Sequence, residues 1–425
     1  MTNADGIGQA GTASRYRWVI CGLLFMGLVI NYVDRQMFGI LKPTLSEEFG
    51  WSEVQYADVV FWFQAAYAVG YLAFGRIVDR FGAKAGYAIA FTIWNFAHIA
   101  HGFASSLIQF TLARVALGVG EAGVFPAGIK AVAVWFPKKE RALATGVFNA
   151  GSNIGAIVTP LIVPAITLSM GWEWAFILTG IVSFAWLAAW LLMYRAPEKH
   201  PAVNAVELAH IQQDPEDAVE KTPLTRVLRT REAWAYALGK FLIDPIWWFY
   251  LFWLPGYLVQ NYGLDLKTFG PPLVVIYLMA DVGSIAGGWF SSRLMNRGVS
   301  VNRARKLTML ICALLVVPVV SLQFVSDLWP AVLILGVATA AHQGFSANLY
   351  TLPSDIFPRS AVGTVIGFGG TIGAVGGMLF SKYVGQILDQ IGTYTPIFFV
   401  AGSAYLLALL VVHVLSPRYS QANLD

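Results

Sequence analysis

Apolar residues run along this chain in blocks about as long as the roughly 20 residues a helix needs to cross the hydrocarbon core of a bilayer. Stretches free of Asp, Glu, Lys and Arg occupy 59–75, 85–113, 142–172, 174–194, 245–264, 307–326, 328–354, 360–381 and 390–417. Three more are interrupted by charge: 18–33 continues past Asp34 and Arg35 to Leu41, 115–134 encloses Glu121 and Lys130, and 268–292 carries Asp281. The pattern predicts twelve helices, at about 16–41, 55–76, 85–105, 108–134, 142–166, 173–194, 233–261, 268–292, 305–324, 328–352, 361–388 and 394–416. Between the sixth and seventh lies a long polar stretch, Arg195 to Arg231, with Pro197, Pro201, Pro215 and Pro223. The expected organisation is therefore six spans in 1–194, a cytoplasmic linker in 195–231 and six spans in 232–425.

Composition decides what solvent surrounds these helices. Of 425 residues, 57% are hydrophobic and 12% charged, against about a quarter charged in an ordinary soluble domain. Surface scaling leaves too few charges to cover a water-soluble fold of this length, so the expected partner of most of the surface is a lipid bilayer. Placing the N-terminus in the cytoplasm leaves Lys42 and Lys267 as the basic residues of external loops, with Arg35, Arg114, Lys130, Lys240 and Lys382 in or near spans; the rest of the 28 Lys and Arg fall inside. That asymmetry predicts an inner-membrane topology with both termini cytoplasmic. It also accounts for the net charge of +4 without nucleic acid. Cys21 and Cys312 stand alone in apolar runs, so neither a disulfide nor a metal site is expected. The first span continues into others without a small-residue cleavage site, which argues against a removable signal peptide.

One loop carries a motif. Gly75, Asp79, Arg80, Gly82 and Lys84 follow the second span, and Gly288 to Arg293 repeat it weakly after the eighth. The first copy resembles the G-x-x-x-D-R-x-G-x-[RK] loop of the major facilitator superfamily, and the twelve spans and central linker agree with that family. An all-α membrane protein of twelve transmembrane helices in two six-helix halves is what the resemblance implies, working as a monomer. Finer features resemble the anion:cation symporter branch, with its hexuronate and galactonate carriers: Asn31 to Arg35, Arg114 to Ala122, Pro126 to Lys130, Trp135 to Pro137 with Glu140 and Arg141, Lys240 to Leu242 with Asp244, Pro245 and Trp247, Ala341 to Gln343, and Ser354 to Phe357. Some hexuronate carriers lack an acid where Asp34 stands, whereas galactonate carriers have one. The implied activity is secondary transport of a small carboxylate, a sugar acid such as galacturonate or glucuronate, with protons as coupling ion and no other cofactor. The loop is implied to gate the cytoplasmic side.

Charges in the membrane cost at least about 2.5 to 3.5 kcal/mol each and mark cavities or partners. Arg114, Gly118 and Glu121 share a helix face, so Glu121 is expected to carry protons, with Arg114 tuning it. Tyr32 and Arg35 share another, and a guanidinium that stays charged suits an anion anchor. Asp34, turned about 100° away, is either a second proton site or the partner of Arg35. Lys240, on one face with Asp244, Trp247 and Trp248, either meets substrate or pairs with Asp244. Lys130 and Lys382 are expected to reach an interface. Hydroxyls and the sugar ring need amides, hydroxyls and aromatic rings, for which Tyr67, Asn149, Ser152, Trp247, Trp248, Gln343, Ser346, Asn348 and Thr371 are candidates, although many such residues serve helix packing. His98, His101, His342 and the glycines Gly369, Gly373 and Gly377 read as packing residues.

No set of nucleophile, base and orienting group and no nucleotide loop is visible, so an enzyme is not expected. The rival readings are an exchanger of organic anions without proton coupling and a transporter-like sensor whose linker would meet a partner.

Overall fold

A computed structural model describes residues 14–214, 223–420 and 422, so part of the linker (215–222, with Pro215) lies outside the described residues. Span 1 is Tyr16–Ile40, followed by a short helix, Lys42–Phe49; spans 2 and 3 lie in one helical stretch, Glu53–His101. Span 4 runs through Leu107–Glu121 and Val124–Trp135, span 5 is Lys138–Met170 and span 6 Trp172–Met193. Span 7 is Arg231–Phe252 with Leu254–Tyr262, span 8 Gly270–Asn296, and span 9 Val301–Val316 ending in the 3-10 turn Val317–Phe324; spans 10, 11 and 12 are Leu328–Ile356, Arg359–Ile391 and Thr395–Leu415.

The departures from a straight helix have local causes. Glu53–His101 has 49 residues and at 1.5 Å per residue would reach about 74 Å, more than twice the core of a bilayer. It breaks at Gly82, whose φ of 80° and ψ of 171° suit glycine alone, and so supplies two spans. Span 4 breaks at Ala122 and Gly123, where Pro126 has no N–H to donate to the Ala122 carbonyl. Span 7 bends by 56° at Trp253, with Pro255 two residues on. Among the described residues, ten helices are long and apolar enough to cross and this bent pair is an eleventh; the division at Gly82 is consistent with twelve spans.

Spans 1 to 6 pack together, as do spans 7 to 12, and the bundles meet along two main seams, span 2 against span 11 and span 5 against span 8, with smaller contacts of spans 1 and 2 and of Lys42–Phe49 on span 7. Both seams close at the end opposite the linker. There the Tyr56 hydroxyl donates to the Phe252 carbonyl at 2.9 Å, the Ser381 hydroxyl to Gln64 at 3.3 Å, and Lys382 pairs with Asp58. Lys382, expected at an interface, ties span 11 to span 2 at this end. A Cβ on Gly385 would strike Ala57, and one on Gly270 would lie 3.0 Å from the Pro160 carbonyl. Toward the linker, Gly75, Gly363, Gly367 and Gly370 meet nothing within 4 Å of a Cβ position. The bundles therefore touch at one end and part at the other.

Candidate functional site

The site begins where spans 1, 2 and 4 meet. Gly118 lets span 4 lie against span 2, for a Cβ there would stand 2.5 Å from the Phe63 carbonyl, and Gly155 lets span 5 lie against Tyr32. This packing brings Arg35 to Glu121: Nε donates to Oε2 at 2.7 Å, and Nη2 lies 2.7 Å from the same oxygen while donating to Asn31 Oδ1 at 3.2 Å. Both side chains are buried, and Glu121 Oε1 has no hydrogen-bond partner. The rings of Tyr32, Tyr67, Trp248 and Phe63 surround the guanidinium at 4.9, 5.0, 5.4 and 5.9 Å. Trp248 comes from span 7, so the second bundle reaches this pair.

Arg114 and Asp34 lie deeper. Arg114 donates from Nη2 to the Arg35 carbonyl at 3.2 Å and packs over Phe38 at 4.3 Å, leaving Nε and Nη1 without partners. Helical spacing puts Arg114 on the face of Glu121, yet the hydrogen-bonded partner of Glu121 is Arg35. Asp34 does not pair with Arg35. It accepts from Trp94 Nε1 at 3.1 Å and has His98 Nε2 at 3.3 Å, and His98 also meets the Thr179 hydroxyl at 2.8 Å. His101, one turn on, holds the Ala97 carbonyl at 2.7 Å and stacks on Phe176.

In the second bundle, Lys240 Nζ bonds Asp244 at 2.8 Å and the Tyr350 hydroxyl at 2.7 Å. The remaining candidates divide. Trp247 turns from the cavity to stack on His342 at 5.1 Å, whose Nδ1 meets the Tyr405 hydroxyl at 2.6 Å. Asn348, read from sequence as a partner for substrate hydroxyls, is fully buried between helices; its amide donates to the Gly287 and Gly344 carbonyls and its oxygen accepts from Arg305. Ser152 and Thr371 donate to carbonyls of their own helices, at Asn149 and Gly367. Ser346 is buried, Gln343 half-buried and Asn149 exposed.

At the linker end, the loop motif forms the turn between spans 2 and 3. Gly82 makes the turn, Arg80 lies over Phe81, and the Lys84 carbonyl accepts from Trp190 Nε1 at 3.1 Å. Asp79, in this loop, pairs with Lys130 at 3.2 Å. The second bundle holds a related pair, Arg305 with Asp355 at 3.2 Å. Sequence reasoning missed Asn31, Tyr350 and Trp94 as partners, because uncharged residues in an apolar run carry no signal until a charge is seen beside them.

Comparison with known proteins agrees with this architecture. The chain is 34% identical over 403 residues to the hexuronate transporter of Escherichia coli (strain K12), covering 93% of both, and 32% identical over 308 residues to the galacturonate transporter of Dickeya chrysanthemi, covering 71% of this chain and 89% of that one. The fold matches a crystal structure of a bacterial homolog of the human lysosomal transporter Spinster in an inward-facing, unoccupied conformation, with a TM-score of 0.71 at 17% identity over 95% of this chain and 96% of the other. A family model described as Major Facilitator Superfamily matches residues 24–381. With its helical bundles, its loop motif and its relatives in agreement, the chain belongs to the major facilitator superfamily and is a transporter, not an enzyme.

Proposed function

We propose that this protein imports a sugar-acid anion, a hexuronate such as galacturonate or glucuronate, by proton symport across a bacterial inner membrane. The names of its relatives supply the substrate class, and the buried Arg35–Glu121 pair supplies the mechanism. A closed ion pair holds helices together no better than a well-packed apolar pair, whereas removing one partner costs about 3 to 5 kcal/mol. An arginine paired this way is ready for an incoming carboxylate once its acid takes a proton. Arg35 then binds the substrate carboxylate through the same Nε and Nη2 that hold Glu121, and Tyr32, Tyr67 and Trp248 form an aromatic wall for the sugar ring. The proton rests on Glu121, whose unpartnered Oε1 has room for it. Arg114 and Asp34 set the charge beneath the pair.

The distribution of basic residues supports a cytoplasmic linker end and cytoplasmic termini. On that orientation the closed seams are external and the cavity opens inward. Substrate entering from outside loads Arg35 and Glu121 together. Release inside lets the pair re-form and expels the proton.

The test is uptake of radiolabelled galacturonate into proteoliposomes with an inward proton gradient, in wild type and Glu121→Gln. Wild type accumulates substrate only while the gradient lasts, and Glu121→Gln keeps counterflow but loses accumulation. Gradient-independent exchange by both proteins would establish an anion exchanger instead.

A further inference from the structure

Between Asp281 and Asp327 the chain has no acid but five basic residues, Arg293, Arg297, Arg303, Arg305 and Lys306, all at the junction of spans 8 and 9. The weak repeat of the loop motif falls here. Gly288 and Arg293 stand where Gly75 and Arg80 stand in the first bundle, but Ser292 takes the place of Asp79. In the first loop that acid meets Lys130. The second loop keeps the arginine and has no acid beside it.

The direction in which these cations point divides them. Arg305 turns to Asp355 at 3.2 Å, to the Ser291 hydroxyl at 3.1 Å and to the Asn348 side chain at 3.4 Å, and Lys306 donates to the Ser416 and Pro417 carbonyls at 2.6 and 2.9 Å. Arg293, Arg297 and Arg303 are exposed, and among the described residues none of them meets a carboxylate. Arg303 precedes Arg305 by two residues, about 200° round the helix, so it faces away from the bundle.

That outward side is apolar. On span 8, Leu278, Val282, Ile285 and Trp289 recur every three or four residues, each more than half exposed. Arg293 comes four residues after Trp289 and continues the same stripe, with its guanidinium 5.0 Å from the indole ring. On span 9, Leu307, Ile311 and Leu314 are exposed, and Arg303 stands four residues before the first of them. In a chain that crosses a bilayer such stripes lie against acyl chains, and a tryptophan at the end of one marks the depth of the headgroups. Both stripes end, on the linker side, in an arginine that has no acceptor in the protein.

Charges that serve only to orient a chain need no particular side of a helix. Arg293 and Arg303 fall on the lipid-facing side of two neighbouring spans, and the Trp289 ring holds the first of them at headgroup depth. A guanidinium forks onto phosphate oxygens, and lipid phosphate is the acceptor a membrane supplies there. A zwitterionic headgroup brings its own cation to that phosphate, whereas an anionic one leaves the charge to the protein.

We propose that the junction of spans 8 and 9 is a binding site for anionic phospholipid, with headgroup phosphate on Arg293 and Arg303, further attraction from Arg297, and acyl chains along the two stripes. The site is independent of the transported substrate.

Photolabelling of the purified full-length chain, in a bilayer of equal parts phosphatidylglycerol and phosphatidylcholine, tests this. Each lipid is supplied in turn as a probe with the same photoactivatable group on the acyl chain next to the headgroup. The phosphatidylglycerol probe is expected to label 285–311 at least fivefold more than the phosphatidylcholine probe, and Arg293→Gln with Arg303→Gln to abolish the preference. Lys199→Gln with Arg226→Gln removes as much charge from the linker and should leave it intact. Equal labelling by the two probes, a phosphatidylglycerol preference spread evenly over all spans, or equal losses in the two double variants would reduce these arginines to general attraction between a basic face and a negative membrane, and would overturn the proposal. Should the arginine variant not fold, the wild-type map decides together with Trp289→Leu, which is expected to lower the preference at least twofold; an unchanged preference there counts against the site.

Discussion

Arg35 shows why charge alone does not define the anchor. Its Nε and Nη2 converge on one carboxylate oxygen at 2.7 Å while three rings stand within 5.4 Å of the guanidinium. A lysine keeps the positive charge but offers a point donor that neither forks nor stacks flat against a ring. Arg35→Lys is therefore expected to lower galacturonate uptake at least tenfold at unchanged expression, through weaker binding. An uptake rate near wild type would show that the pocket needs only a positive charge. The same region marks what sequence can give. The presence of Arg35, Glu121 and Arg114 in the membrane was legible because charges stand out in apolar runs, and spacing gave their faces. Which charge meets which was not, since a helix face does not say which neighbouring helix it meets. Glu121 consequently pairs with Arg35 from span 1, not with Arg114 on its own helix, and Lys130 pairs with Asp79 of the loop motif.

At the scale of elements, hydrophobic length marked out the spans but not their breaks at Ala122–Gly123 and Trp253, and the linker gave no hint that it is part of the first bundle. The first N–H groups of span 1 have no side-chain cap from Arg15 and need partners. Glu207 in the linker helix Ala205–Ile211 supplies them: it accepts from the Tyr16 and Arg17 amides at 3.0 and 3.1 Å, from the Ser14 hydroxyl at 2.5 Å and from Arg17 Nη1 at 3.0 Å. A carboxylate at the positive end of a helix is favoured by the helix dipole as well. Burial pushes the Glu207 carboxyl up, but these hydrogen bonds outweigh it and hold the group below the ordinary glutamate range. A depressed folded value means that the latch contributes fully above the unfolded value of about 4.3 and is lost as pH falls through the folded one. At neutral pH it should therefore be closed. Glu207→Gln is expected to speed amide exchange across 204–211 at least tenfold at pH 7, and wild type to show the same loosening only in acid, after correction for intrinsic exchange rates. Unchanged protection in the variant would mean that apolar packing alone holds the linker.

For the whole molecule, a cavity open at one end needs contacts at the other that break once per cycle. The Lys382–Asp58 pair and the Ser381–Gln64 hydrogen bond join span 11 to span 2 at the end opposite the linker, beside the close approach of Gly385 to Ala57. The two charged side chains are about one-third exposed, so water competes for them and the pair is weak enough to open. If the bundles rock about the site, this seam must part for substrate to enter from that side, and a covalent tie across it must stop transport without touching the pocket. Asp58→Cys with Lys382→Cys, joined by a short bifunctional thiol reagent carrying a reducible disulfide, is expected to abolish uptake, and reduction should restore it. The native Cys21 and Cys312 are buried and not paired, which keeps the reaction at the introduced thiols. The single-cysteine variants should retain uptake after the same treatment. Binding of galacturonate measured from the linker side should survive the tie, because the tie leaves Arg35 and Glu121 untouched. Uptake that continued with the seam covalently closed would require a route for substrate other than the opening of spans 2 and 11, and alternating access between these two bundles would have to be abandoned.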